Sequence, residues 1–466
     1  MSRKLLPFVL VTFATAAGAA DFEPKISLSV IRTDNLTLLP ADTEAQTVYQ
    51  LTPEFVVTQN STRVDARAAY RGSVYRYDQR AENEVYNEFD GELVLSALPD
   101  RFFINMGADR TQSIIDPQST IPVDNLAIVT NRVDRDDYYF GPSFQVPVGG
   151  NAVFGGDLRR TWVKYADEAA TVGVFDNFVR DRGNLGVDNY RNGAGFTWAL
   201  RYDYWHTDYG DAFIPYEYRQ ATVELGSWAS QRTRLYVAGG QESPWDRPLD
   251  PALGDTFWEA GFVRQVGENV RAEIAYGERS FGPSRRVALS YNFGRGTTIL
   301  NYNQRPATNA EDLFSRTGLV ESGSLTDFLT RVGNIQRYVS ELLQWEFNLG
   351  LDRTTLEISV FDESRVDLTD TAGTSLGDEQ QSGATFSASW KIGVKTVFFI
   401  RGMAIRRDFA TSDDSDFSSR SVGATYSLGR RTQLSLQLER REQTSEQFLA
   451  QNYEADLVSL TLGRSF

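Results

Sequence analysis

The chain ends on Asp456 to Phe466, DLVSLTLGRSF, a stretch whose character changes at every second residue. Val458, Leu460, Leu462 and Phe466 share one parity; Leu457, Ser459, Thr461, Gly463 and Ser465 share the other. Successive side chains of a strand point to opposite faces, so this is a strand with one oily face and one small, mostly polar face. Arg464 breaks the oily parity, which is tolerable at a membrane interface, where an outward Arg costs about 0 to 1 kcal/mol. Such a strand belongs either to the edge of a soluble sandwich or to the wall of a membrane barrel. The same alternation recurs through the chain and constrains its fold more than any other feature.

The start of the chain favours the barrel. Arg3 and Lys4 precede an apolar run from Leu5 to Ala16, and Ala17-Gly18-Ala19 offers a small-residue cleavage site. This is the pattern of a secretory signal peptide, too short for a helical span. The expected division is a signal peptide over 1–20, removed on export, and one barrel domain over 21–466. The absence of cysteine excludes a disulfide framework, a thiolate nucleophile and a zinc–thiolate site.

Without Arg3 and Lys4, the 47 basic residues become 45 against 62 acidic ones, a net charge of −17. Such a chain has no electrostatic reason to bind nucleic acid. It carries 29 Phe, 21 Tyr and 8 Trp, yet its mean hydropathy is negative. Many aromatics in a polar average suit two interfacial girdles around a wet interior. Beyond residue 20 no apolar run approaches the roughly 20 residues of a membrane helix.

In order, residues 25–35 set Ile26, Leu28 and Val30 against Lys25, Ser27 and Ser29. Residues 47–58 set Tyr49, Leu51, Phe55 and Val57 against Gln50, Thr52 and Glu54, with Pro53 predicting a bulge or a weak ladder bond. In 62–77, Val64, Ala66, Ala68, Tyr70 and Val74 alternate with Arg63, Asp65, Arg67, Arg71 and Ser73. Residues 84–97 answer with Val85, Phe89, Leu93 and Leu95 against Glu84, Glu88, Asp90 and Glu92, which predicts a ladder of arginines facing carboxylates.

The segments ISLSVIRTDNLTLLP, YQLTPEFVV and RAAYRGSVYRYDQRAENEVYNEFDGEL resemble the N-terminal part of outer-membrane β-barrel porins encoded with exopolysaccharide and exosortase (PEP-CTERM) clusters. The resemblance covers about residues 25 to 112. It rests on a first strand ending in Asp34-Asn35, a second marked by Thr52-Pro53 and a Tyr-rich third. It implies a barrel fold, a role in exopolysaccharide export or surface-protein sorting, and periplasmic polysaccharide-export proteins as partners. It implies no catalytic residue and no cofactor. The terminal strand likewise resembles the insertion signal of outer-membrane barrels, Val458, Leu460, Leu462 and Phe466, which implies outer-membrane lipid and the barrel-assembly machinery as partners.

Strand-like segments continue to the terminus. The best division gives 22 strands, and 18 to 22 are admitted because 182–190 is weak and 285–304 divides in more than one way. An even number is expected of a single-chain barrel. The predicted class is therefore all-β, a transmembrane antiparallel up-and-down β-barrel. Short turns at Asn60-Ser61, Pro99-Asp100, Gly149-Gly150, Arg191-Asn192, Gly267-Glu268, Gly294-Arg295, Gly393-Val394 and Gly429-Arg430 alternate with long loops at 113–131, 166–181, 243–255, 305–333 and 365–381. The longest, 305–333, in which Leu325 to Leu329 suits a helical turn, is the expected segment folded into or over the pore.

The inner face carries the remaining expectations. In 432–441, Leu434, Leu436 and Leu438 face out while Gln433, Ser435, Gln437, Glu439 and Arg441 face in. The same parity sends Asp157, Arg159, Arg201, Asp203, Arg271, Glu273, Glu346 and Glu357 inward, beside Arg67, Arg71, Glu88, Asp90 and Glu92. Mixed signs suit a wet passage for a polar solute, and Tyr75 and Tyr139 are candidates to stack on sugar rings. Each charge has a plainer role as well, pairing across strands to hold the wall. The one histidine, His206, shares the outward parity of Trp198, Leu200, Tyr202 and Tyr204, a poor place for a catalytic base or a metal ligand. No enzyme is expected. A plug before the first strand, as in a TonB-type transporter, is not expected either. The readings left open are an export or sorting port, a general diffusion porin and a non-conducting scaffold.

Overall fold

The computed structural model describes residues 20–40, 45–79, 83–114, 120, 125–129, 131–166, 177–189, 195–210, 215–243, 255–308, 337–367, 378–409, 412–445 and 449–466. Its strands are β1 (Asp21–Thr33), β2 (Gln46–Asn60), β3 (Val64–Tyr77), β4 (Asn83–Leu98), β5 (Phe102–Ile114), β6 (Arg132–Val148), β7 (Ala152–Tyr165) and β8 (Phe178–Asp188). There follow β9 (Phe196–Asp208), β10 (Tyr216–Ser230), β11 (Thr233–Glu242), β12 (Thr256–Val266), β13 (Val270–Arg279), β14 (Gly282–Asn292) and β15 (Gly296–Thr308). The last are β16 (Arg337–Gly350), β17 (Thr354–Asp367), β18 (Glu379–Lys391), β19 (Thr396–Phe409), β20 (Ser412–Ser427), β21 (Thr432–Ser445) and β22 (Tyr453–Ser465).

Each strand pairs antiparallel with its neighbours in sequence, and the 22-stranded sheet closes on itself. The seam joins β1 to β22 from Lys25↔Ser465 to Thr33↔Leu457, and the Phe466 amide donates to the Pro24 carbonyl at 3.0 Å. Closure gives every described strand a ladder on both sides, which is what a sheet needs inside hydrocarbon.

Register divides the sheet into two faces. Leu51, Leu28, Leu462 and Leu434 lie in one row across four strands, and Gln50, Ser29, Thr461 and Ser435 in the next. The leucine face is the exterior, with Leu28, Leu51 and Leu462 all more than 40% exposed. The polar face is the interior, since Glu242, Glu363, Arg407 and Gln443 on it are almost wholly buried. An apolar surface of this extent, left outward by charged groups turned in, is the inverse of a soluble barrel.

Outward rings gather at both edges of the aliphatic band. Phe22, Phe55 and Tyr70 are in contact near the short turns, as are Tyr291, Phe293 and Phe347. Trp258 meets Tyr276 near the long loops. Beyond that edge the exterior becomes charged, with Arg406 paired to Asp408 and Asp414, and Arg440 to Glu454.

Several boundaries differ from the sequence reading. The weak segment 182–190 is a full strand, β8, beginning at Phe178. The division of 285–304 falls at Phe293 to Arg295, where Gly294 has φ +83° and a side chain would be strained. At Pro53 the expected weak ladder is found and the bulge is not. The β2–β3 ladder omits Thr52 and Pro53 but resumes in unchanged register, while Pro53 still pairs with Ile26 on β1. The first short turn is centred on Ser61, whose Oγ accepts from the Val64 amide at 3.0 Å. Arg191-Asn192, Leu325 to Leu329 and the interior of loop 305–333 lie outside the described residues.

Candidate functional site: the barrel lumen

Register places every inward candidate on the polar face. Arg67, Arg71, Glu88, Asp90 and Glu92 face one another between β3 and β4, where Arg67 reaches Asp90 at 2.5 Å and Arg71 pairs with Glu88. Asp157 and Asp203 flank Asn184 in one row, and Arg159 opposes Arg182 in the next. Arg201 lies 3.9 Å from Glu224, and Arg271 lies 3.8 Å from Glu273. Glu346 accepts from the Gln344 amide at 2.7 Å, and Glu357 stands opposite Ser387. Glu439 accepts from Arg441 at 2.6 Å and from Ser419 at 3.0 Å. On the opposite parity, Val458, Leu460 and Leu462 are outward and exposed, as is Phe466.

Four inward rings lie flat on the wall, each directly opposite a glycine: Tyr139 on Gly107, Tyr236 on Gly261, Phe361 on Gly383 and Phe399 on Gly423. A Cβ on any of these glycines would collide with its ring. Glycine in a strand here marks close approach of a neighbouring side chain. Tyr139 is thereby held on one face by Gly107, and the Arg159 guanidinium covers the ring from 4.4 Å. Tyr75 is 4% exposed, accepts from Gln50 at 3.1 Å and touches Tyr77 and Tyr86. Neither tyrosine offers a free ring face, so sugar stacking on them is withdrawn.

Toward the long-loop end the inner wall carries buried ion pairs that sequence reasoning passed over. Glu242 accepts from Arg279, from the Tyr218 hydroxyl at 3.0 Å and from the Ser280 amide at 2.7 Å. Arg365 lies between Glu363 at 2.9 Å and Glu379 at 3.6 Å, and Arg135 pairs with Asp137 at 2.9 Å. Nearer the middle of the wall, the partly exposed Arg286 bridges Glu259 and the expected inward Glu273. The available signal was opposite charge at i and i+2, as in Arg135/Asp137 and Glu363/Arg365, which places both groups on one face of a strand.

The mouth at this end is narrowed by two inturned segments. Leu36 and Leu38, between β1 and β2, are each 1% exposed and pack on the inward Ile31, Val48, Tyr77 and Leu457. Asn35 fixes the segment: its Nδ2 donates to the Leu39 and Glu454 carbonyls, both at 2.9 Å, and its Oδ1 accepts from the Leu39 amide. Asp34 accepts from the Asp456 amide at 2.7 Å and so extends the seam. Residues 125–129, between β5 and β6, lie against this layer. The Ile128 amide donates to the Leu36 carbonyl at 3.1 Å, and the Asn125 amide donates to Glu88 at 3.3 Å. His206 is outward, opposite Asp181 and Glu217.

An apolar exterior, a closed ladder and a polar lumen define a class: a transmembrane β-barrel. No family model and no curated protein matches the sequence. Among solved structures, the siderophore receptor PirA from Pseudomonas aeruginosa matches at 10% identity over 97% of this chain and 81% of that one, with TM-score 0.47. OccAB3 from Acinetobacter baumannii matches at 9% identity over 96% and 99%, with TM-score 0.36. A loop-deletion mutant of OmpT, an outer membrane protein of Vibrio cholerae, matches at 8% identity over 96% and 100%, with TM-score 0.33. The class assignment rests on the chain's own ladder and faces, not on these likenesses.

Proposed function

We propose that this protein is an outer-membrane channel for polar solutes, oriented with its short turns toward the periplasm and its long-loop mouth outward. The observation that carries the reading is the inner face, lined with carboxylates, guanidiniums and hydroxyls on every strand pair and surrounded by an aliphatic exterior. Selection follows from width, from the inturned segments 34–39 and 125–129, and from wall charges of both signs, without covalent chemistry. Glu242, Glu363 and Arg365 are too deeply paired to meet a solute and hold the wall. Arg159, Arg182 and Arg201 are water-exposed and face the passage.

The resemblance in the first strands supports a narrower role, a port for exopolysaccharide export or surface-protein sorting with periplasmic export proteins as partners. In that role the inturned layer keeps a wide barrel closed until a partner engages it. The test of the channel is swelling of proteoliposomes in neutral sugars of graded size. Uptake should increase when Leu36 and Leu38 are both replaced by Ser, and a folded barrel that admits no sugar in either form contradicts the reading. Deleting the gene tests the narrower role: polymer held back in the periplasm supports export, and an unchanged surface leaves the diffusion porin.

A further inference from the structure

Charge is polarised along the barrel axis. The long connections are acidic: 34–45 carries Asp34, Asp42 and Glu44 with no cation, and 166–177 carries Asp167, Glu168 and Asp176 with none. The short turns are the reverse. Arg63, Arg101, Arg232, Arg295, Arg353 and Lys395 each stand at a separate tip, and Arg430 and Arg431 share another. Against them stand only Asp100, Glu268 and Asp352 at described tips. All of these cations are exposed, and none lies in an ion pair among the described residues. The inner wall behaves differently, with Arg67, Arg71, Arg279 and Arg365 all paired.

Several of the basic tips, though not those of Arg63, Arg232 and Arg295, are interleaved with outward aliphatic residues. Leu351 precedes Arg353, Ile392 and Val394 precede Lys395, and Leu428 precedes Arg430, with exposures of 42%, 54%, 105% and 51% for the four aliphatics. Arg464 follows Leu462 on the outer face, its guanidinium 5.3 Å from the Phe466 ring centroid. A cation one to three residues past the last outward aliphatic stands where hydrocarbon gives way to headgroups. A soluble acidic partner would be met by polar tips; the tips of Arg353, Lys395 and Arg430 carry exposed aliphatic residues instead.

We propose that this rim binds anionic phospholipid headgroups, phosphodiesters with net negative charge, in the leaflet it borders. The proposal rests on the reading of the chain as an outer-membrane barrel with its short turns periplasmic. Bound lipid anions would anchor the rim at a fixed depth and offset the repulsion among its cations.

The test uses full-length protein reconstituted in phosphatidylethanolamine vesicles with phosphatidylglycerol as the minor component, then extracted and weighed with its retained lipid by native mass spectrometry. Phosphatidylglycerol should be enriched over its share of the bilayer by about five-fold or more, an effect of order one cation's attraction to an anionic surface. Enrichment should fall toward unity in the R353Q/K395Q/R430Q/R431Q variant and at high salt, and persist in R406Q/R440Q at the opposite end. The heat-dependent gel shift of the barrel confirms that each variant has folded. Equal retention of both lipids by the unsubstituted protein, or unchanged enrichment in the four-fold variant, overturns the proposal. Conductance of the same preparation reports separately: a silent protein that enriches phosphatidylglycerol keeps the rim and loses the channel, and a conducting one without enrichment does the reverse.

Discussion

Single side chains in this wall obey two rules, outward oil and inward polarity, and the second admits buried charge only where partners surround it. Glu242 has no exposed side-chain surface and holds Arg279, Tyr218 and the Ser280 amide together. Glu242→Ala would leave a buried guanidinium unpaired and should cost about 3–5 kcal/mol, measured by urea unfolding in detergent. Gly107→Val should expel the Tyr139 ring into the lumen and cost about 1–3 kcal/mol by overpacking, with Arg159 released from that ring. Sidedness was legible in the sequence because it depends only on parity within a strand. The posture of a side chain was not. Tyr139 reads as an inward ring, but that it lies flat follows from Gly107 being exactly opposite in register, a pairing between strands that neither segment reveals alone.

Among elements, the strands were legible and the inturned segment after β1 was not. Loop length drew attention to 305–333, whose interior lies outside the described residues; among the described residues the constriction comes from the 34–39 segment and from 125–129. A signal was present in NLTLLP, an apolar cluster in a loop, facing apolar residues on the otherwise polar parity: Ile31, Val48, Tyr77 and Leu457. The Asp34-Asn35 pair, which looked like strand punctuation, ties this segment to β22. Asn35→Ala removes three hydrogen bonds and should expose 34–39 to protease at least several-fold faster, with the barrel's resistance to heat in detergent nearly unchanged. Equal cleavage of both proteins would show that Leu36 and Leu38 hold the segment without Asn35.

For the molecule as a whole, closure and amphipathic sidedness were read from the sequence, since a period of two along the whole chain leaves few alternatives to a sheet that meets itself. Phe466 matters at this level. Phe466 is outward, and its amide closes the seam on Pro24, so removing it should lower the folded fraction recovered from membranes, scored by the heat-dependent gel shift, with the extracted protein conducting normally once refolded. Solute identity was not legible, because a mixed-sign wall discriminates weakly among polar molecules. The most direct measurement is the single-channel current in a planar bilayer of the unsubstituted protein beside the Leu36→Ser, Leu38→Ser variant. A polar barrel constricted by its inturned layer predicts small, interrupted currents in the first and larger, steadier ones in the second. Silence from both folded proteins would contradict a passage through this barrel.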